Sequence, residues 1–448
     1  MRGWAVAAVA GVLGWGLACG GSHQSSESTQ RTAPEAPTAF EPAPQVPDKP
    51  TPPPAPEPQP PPPPEPQPPP PEPQPPPPPE PSACQDLLPK EVLPKSRDIL
   101  TGFVASCEPH TPVMDGAGNL AYAAGYAGYG NVHWHVQGPD GTPRNRFHSN
   151  PTPQLWPQVQ GFQGVNFICA GGSGVAFEAY DGTGQLLTSV GLGNYNTCAD
   201  AEFDDARDPA GGTVVAWMPT ARDERADPHR LLKVQRFSSF GQARFEAVTV
   251  ASWIDQPAFR HAVVVGTDVW GRTLVLWNGE AFFGAGSVAG RWLDAQGVPL
   301  THIFQAPVPS LGRNSSRGLL RPLIGGGLAL QVDGRWTHTF ASGFTVPQAA
   351  PSWLARRSGQ LEIVRGGRAY ALMPPHPMAP VCSQQVEVLA PDGTSCGALT
   401  FETPEGACVT SPLSLGADGS ILQQQLLAHP DEEGRNGCTQ KWWPQILR

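Results

Sequence analysis

Residues 268–300, DVWGRTLVLWNGEAFFGAGSVAGRWLDAQGVPL, carry the clearest alternation of apolar and polar positions in the chain. GRTLVLW is apolar on both faces: Thr273, Val275 and Trp277 fall on one side of a strand, and Leu274 and Leu276 on the other. A strand covered on both sides reads this way. SVAGRWL predicts a second strand. Asp294-Ala-Gln-Gly297 has the turn residues of a short hairpin, and residues 298–300 begin the return strand.

Weaker copies of this unit recur. An apolar strand following Gly begins at Gly118, Gly164, Gly212, Gly271, Gly326, Gly367 and Gly419, at spacings of 46, 48, 59, 55, 41 and 52 residues. A second strand, often ending in a polar Gly turn, begins at Asn131, Gly174, Leu231, Ser287, Gly334, Ser383 and Thr439. The two patterns alternate seven times, and long amphipathic helical patterns are absent. A period near fifty in an all-β chain is propeller spacing. The expected fold is therefore a single all-β propeller over 84–448, with seven blades favoured; six or eight also fit, because the fifth unit is short and the second lacks a clear hairpin spacing. Trp134, Trp217, Trp277, Trp292, Trp336 and Trp442 fall at strand positions and are expected to fill space between blades. The seventh unit ends at its third strand near Arg448. A strand drawn from 87–103, which contains Val92-Leu93 and Ile99-Leu100, is expected to complete that blade and pair its edge.

Arg291-Trp292-Leu293-Asp294-Ala295-Gln296-Gly297 and, with Ser in place of Asp, Arg236-Phe237-Ser238-Ser239-Phe240-Gly241 carry an R-F/W-x-D-x-x-G hairpin motif. Over roughly 98–448 this pattern resembles the β-propeller repeats of secreted bacterial lipoproteins, including the myxobacterial type. The motif is loose.

The N-terminal part changes the picture from fold to address. Met1-Arg2 is a short basic start, and 4–17 is an apolar run too short to span a bilayer comfortably. Gly16-Leu17-Ala18-Cys19 then resembles the lipobox of bacterial lipoproteins, departing at Gly16, where the family prefers Leu. The resemblance implies a signal peptide over 1–18, lipidation at Cys19 and a polar, disordered segment over 19–33; an ordinary signal peptide cut near Ala18 is the alternative. Residues 34–81 hold 28 of the 56 prolines. Such composition gives stiff, left-handed polyproline II rather than a packed core, and it could extend roughly 150 Å at about 3.1 Å per residue. The Pro-rich linker, 34–83, reads as a spacer between the envelope membrane and the propeller, outer membrane and periplasmic or surface side being expected.

Net charge is −10 and charged residues are 15% of the chain. This argues against nucleic acid or an anionic lipid surface as partner. Besides Cys19 there are eight cysteines, Cys84, Cys107, Cys169, Cys198, Cys382, Cys396, Cys408 and Cys438, an even number suited to disulfides in an exported chain. Sequence proximity favours Cys84–Cys107 and Cys169–Cys198. For the last four, Cys382–Cys396 with Cys408–Cys438 and Cys396–Cys408 with Cys382–Cys438 both stay open.

No catalytic, metal or cofactor set emerges. Gly393-Thr394-Ser395-Cys396-Gly397 matches G-x-S-x-G, but it sits in an expected β-hairpin rather than at a strand-to-helix elbow. His133 and His135 share one face of a strand as half of a metal site whose other half is missing. Asp200, Glu202, Asp204, Asp205 and Asp208 lack a Ca²⁺-loop pattern and are expected in a solvated connection. No H-E-x-x-H, P-loop or dinucleotide fingerprint is present. The favoured function is a non-catalytic binding or scaffold module for an envelope protein or glycan, held to the membrane only by its lipid; the alternative is a cell-wall or polysaccharide-acting hydrolase or lyase. The first expectation is direct: Cys19→Ser releases the chain from the membrane fraction or leaves it unprocessed, and membrane attachment that survives the substitution contradicts lipidation there.

Overall fold

The computed structural model describes residues 84–89, 95–100, 111–127, 131–149, 155–168, 174–194, 202–218, 229–254, 262–311, 320–377, 379–402, 408, 411–426 and 437–448. They form seven four-stranded antiparallel sheets. Six sheets are continuous in sequence: blade 1 spans 113–149, blade 2 156–194, blade 3 202–254, blade 4 263–306, blade 5 320–349 and blade 6 360–402. Blade 7 takes strands Ser414–Leu415, Ile421–Leu426 and Gly437–Trp443 from the end of the chain and its outer strand, Lys95–Leu100, from the beginning. Lys95 stands opposite Trp442 and Leu100 opposite Gly437. The fold is thus the seven-bladed propeller expected from the repeat, closed by the segment expected to close it.

The two-sided pattern of the fourth unit has the predicted consequence. Every residue of Thr273–Asn278 is buried. Val275 and Trp277 pack with blade 3 residues such as Val214, Val234 and Trp253, whereas Leu274 and Leu276 pack with blade 5 residues such as Leu328 and Phe340. Each side of one strand therefore belongs to a different interblade core. Among the described residues there are seven such clusters, one at each blade boundary. Trp134, Trp217, Trp277, Trp292 and Trp336 are buried in five of them, and Trp442 packs against the one between blades 7 and 1.

The hairpin motif has a local physical cause. At 268–272, Gly271 N–H donates to the Asp268 carbonyl (3.0 Å) and Asp268 N–H to the Arg272 carbonyl (2.9 Å). The Asp268 carboxylate accepts from the N–H groups of Trp270 and Arg272, both at 2.9 Å. Gly271 has φ +81°, a backbone region where a Cβ is penalised. The same Asp-to-backbone pair recurs at Asp181 and Asp294. At Ser238 the shorter hydroxyl makes it at 3.3 Å for both bonds. In blades 1 to 4 and 6 these tight turns follow the first strand and the third, so they gather at one end of the ring.

The disulfide pairing differs from the sequence expectation. Cys84 is bonded to Cys396, and Cys382 to Cys408. This replaces Cys84–Cys107 and both pairings considered for the last four cysteines. The reason is ring closure: residues 84–89 lie against the sixth blade, 312 positions away in sequence. Leu87 is buried in the core between blades 6 and 7, and its carbonyl accepts from Arg365 Nε (3.1 Å). Sequence proximity could not register a contact made only by closure. Cys19, Cys107, Cys169 and Cys198 lie outside the described residues, as does the side chain of Cys438, whose backbone pairs with Ile99.

Deleting 84–103 is expected to destabilise the entire ring, whereas deleting 22–81 is expected to leave the melting temperature unchanged. Replacing Cys84 and Cys396 together by Ser is expected to cost about 2–5 kcal/mol in denaturant titrations. If the deletion of 84–103 melts like the intact chain, the closing strand is not part of the cooperative unit.

Candidate functional site

The sites named by sequence resolve first. Ser395 follows the tight hairpin 390–394 and opens the strand Ser395–Glu402, and its neighbour Cys396 is consumed by the bond to Cys84. Ser395 is therefore not held at a strand-to-helix elbow. His133 and His135 lie half-buried on the third strand of blade 1, with Trp134 buried on its other face. The His135 ring lies 5.7 Å from that of Tyr122. Burial pushes the His135 pKa below its ordinary value, and the nearby His133 and Arg146 push the same way. Among the described residues, no three His, Cys, Asp or Glu side chains converge as a metal-binding group.

The acidic run departs from the solvated connection expected for it. Glu202–Arg207 is the innermost strand of blade 3, and Asp204, Asp205 and Asp208 are buried. Asp200 is outside the described residues. Each of the three buried carboxylates has a structural partner. Asp204 accepts from the Val265 N–H of blade 4 (2.8 Å). Asp205 accepts from the indole N–H of Trp156 in blade 2 (2.8 Å). Asp208 pairs with Arg236 at 2.6 Å, and Arg236 in turn donates to the Gly271 carbonyl of blade 4 (2.5 Å). Inner strands have an unpaired edge, and side chains from adjacent blades satisfy it.

The axis of the ring holds a cavity of about 570 Å³. Its walls are the inner strands of blades 2 to 7, and it extends to the end where the short hairpins gather. Small-molecule sites typically run to roughly 300–1,000 Å³. Four polar or aromatic side chains from four blades define its lumen: Trp156, Arg207, Arg321 and Glu362. Trp156, Arg321 and Glu362 form a chain of contacts. Asp205 fixes the Trp156 indole. The Arg321 guanidinium lies 5.8 Å from the centroid of the Trp156 ring, a cation–π separation. Arg321 Nε is 3.4 Å from Glu362 Oε1. Burial pushes the Arg207 guanidinium below its ordinary pKa, and the Glu362 carboxylate pulls it back. A guanidinium remains protonated in proteins regardless. Four arginines, Arg207, Arg321, Arg365 and Arg448, and two carboxylate side chains, Asp208 and Glu362, stand in the wall. Asp208 is neutralised by Arg236.

Sequence reasoning missed this group because its members lie 41 to 206 positions apart on four inner strands. The available signal was a charged residue ending or interrupting a short inner strand, as in EFDDAR, LRP and QLEIV.

No family model matches the chain, and no curated protein matches it. Among solved structures, the chain is similar to one of two prolyl endopeptidases (13% identity, TM-score 0.39), covering 73% of this chain and 44% of that one. It is also similar to a prolyl oligopeptidase B from Galerina marginata (8% identity, TM-score 0.39; 72% and 45% of the two chains). A third is a protein of unknown function from Bacteroides caccae (11% identity, TM-score 0.32; 64% and 95%). The chain thus spans less than half the length of both peptidases, and likenesses at these scores carry no argument about activity.

Asp208→Ala is expected to cost about 3–5 kcal/mol, because it strands a buried guanidinium. Adding Arg236→Met should recover part of that loss, giving a measurable coupling in a double-mutant cycle. Additive losses in chemical denaturation contradict the pairing as a stability element.

Proposed function

We propose that the protein is a cell-envelope lipoprotein whose propeller serves as a non-catalytic binding module. In this reading Cys19 carries the lipid, the Pro-rich segment is the spacer, and the ring is presented to an envelope protein or glycan. The observation that carries the reading is the composition of the axial cavity. Its described lining includes no His, Ser, Cys, Lys or Tyr, and its two carboxylates, Asp208 and Glu362, are each engaged by an arginine. General acid–base catalysis needs a proton donor and acceptor within reach of the reacting atoms, and glycoside hydrolysis needs two carboxyl groups with separate roles. Both carboxylates of this wall are occupied by ion pairs rather than open to a reacting atom. A concave, charged, largely preformed pocket suits recognition.

The test uses the full processed chain with isolated cell-wall sacculi and a panel of envelope polysaccharides. Saturable retention on one of them without new reducing ends or released peptides is the expected result. Turnover of any of these materials that tracks the purified chain would replace the binding module with an enzyme.

A further inference from the structure

The register of blade 1 supplies what the spacing of its histidines could not. His133 and His135 alternate with the buried Trp134 along Asn131–Gln137, so both imidazoles fall on the face turned away from it. That strand pairs antiparallel with Pro143–Ser149, and His133 stands directly opposite His148. Residues so opposed share a face of the sheet, with Cβ atoms about 4.5–5.5 Å apart. His135 is opposite Arg146, which puts it on the diagonal from His148, at roughly 7–8 Å. The register runs unbroken from Val132 to His135. Three histidines thus occupy neighbouring positions on one face of two adjacent strands. His133 is close enough to His135 to act on it through its charge. The side chain of His148 lies outside the described residues, and its membership follows from its place in the ladder. On its other side His135 is paired with Tyr122, a member of the apolar cluster between blades 7 and 1. This face therefore looks toward the seam where the ring closes.

We propose that His133, His135 and His148 are the ligands of a divalent transition-metal ion of the Zn²⁺ kind, held on blade 1 beside its seam with blade 7. The inference goes beyond the binding-module reading and does not depend on it. Two ligands two residues apart on one strand, with a third directly opposite the first, form a compact triangle. The ladder fixes its corners before any ion arrives, so little ordering is left for the metal to impose. The donor set selects the class of ion. Imidazole nitrogens suit Zn²⁺ and its transition-metal neighbours, whereas Ca²⁺ and Mg²⁺ take oxygen ligands. Three protein ligands leave the fourth position of a tetrahedral ion to water or to a donor atom of a bound molecule. Arg146 is the cation that the same register brings near the group, and it is exposed, so its guanidinium has solvent to turn to. An ion at this place would cross-link the two outer strands of blade 1.

Titration of the full, tag-free chain with Zn²⁺ after chelator treatment tests the site. The expected result is one tight site per chain, with no competition from millimolar Ca²⁺ or Mg²⁺. His133→Ala, His135→Ala and His148→Ala should each weaken Zn²⁺ binding by about 100-fold or more, since even the partners behind a metal ligand are worth about 10–100-fold. His338→Ala, at a half-buried histidine on the third strand of blade 5, should leave it unchanged. X-ray absorption of the Zn²⁺-loaded wild-type chain should show three imidazole nitrogens around the ion, a readout that stands even where an alanine variant fails to fold. Absence of Zn²⁺ binding at micromolar concentration overturns the site. So does unchanged affinity in a folded variant of any of the three histidines, an equal loss in His338→Ala, or a zinc shell with fewer than three imidazoles. Displacement of Zn²⁺ by Ca²⁺ or Mg²⁺ overturns the assignment of the ion.

Discussion

The structure depends on how the inner strand of each blade deals with its free edge. A sheet whose first strand faces the axis leaves N–H and C=O groups unpaired there, and a ring places seven such edges around one narrow space. The chain answers with a hydrogen bond across every boundary near the short-hairpin end. Gly161 N–H reaches Asp115 between blades 1 and 2, and Gly212 N–H reaches Gln158 between blades 2 and 3. Arg236 reaches the Gly271 carbonyl between blades 3 and 4, and Ser342 reaches Asp268 between blades 4 and 5. The last three boundaries are joined by Ile324 N–H to the Tyr370 hydroxyl, Arg365 N–H to the Leu447 carbonyl, and Ala417 N–H to the Met114 carbonyl. The partners vary in type, but each one satisfies a group that the antiparallel ladder cannot reach.

Apolar packing supplies the bulk of cohesion between blades, and these polar contacts fix how adjacent blades meet. The closing region shows the division of labour. The cluster between blades 6 and 7 is large and recruits Leu87 from the beginning of the chain. Beside it runs a buried relay of amides, Gln425 to Gln423 at 2.6 Å and Gln423 to Gln384 at 2.8 Å. Buried amides are costly unless paired, so they favour one alignment of the two sheets over its neighbours. Between blades 7 and 1 the described cluster is smaller, with Met114, Leu120, Tyr122 and Leu422 at its centre. There the cross-strand pairing of Lys95–Leu100 and the Cys84–Cys396 bond tie the chain's beginning to blades 7 and 6.

The same geometry that creates free edges creates the axial cavity. Short inner strands bring a few side chains each to the axis, and the contributions of blades 2 to 7 make a lined space. Most of these positions are spent on cohesion: Asp205 holds Trp156, and Asp208 holds Arg236. Arg207 lines the same wall and takes no part in these bonds.

The sequence by itself determined the periodic features. Strand order, the two-sided burial of residues such as Val275 and Leu276, the Asp-x-x-Gly hairpins and the need for a closing strand all follow from patterns spanning fewer than about ten residues, repeated at a period near fifty. Local chemistry dictates them, so a local reading finds them. The tertiary structure alone decided what closure brings together. Cys84 meets Cys396, the acidic run becomes an inner strand rather than a solvated connection, and Arg207, Arg321, Glu362 and Trp156 line one cavity. Each inner strand offers only a few residues to the lumen, and their partners are set by the angle through which successive blades turn. No spacing along the chain encodes that angle; it exists only once the blades have packed into a ring.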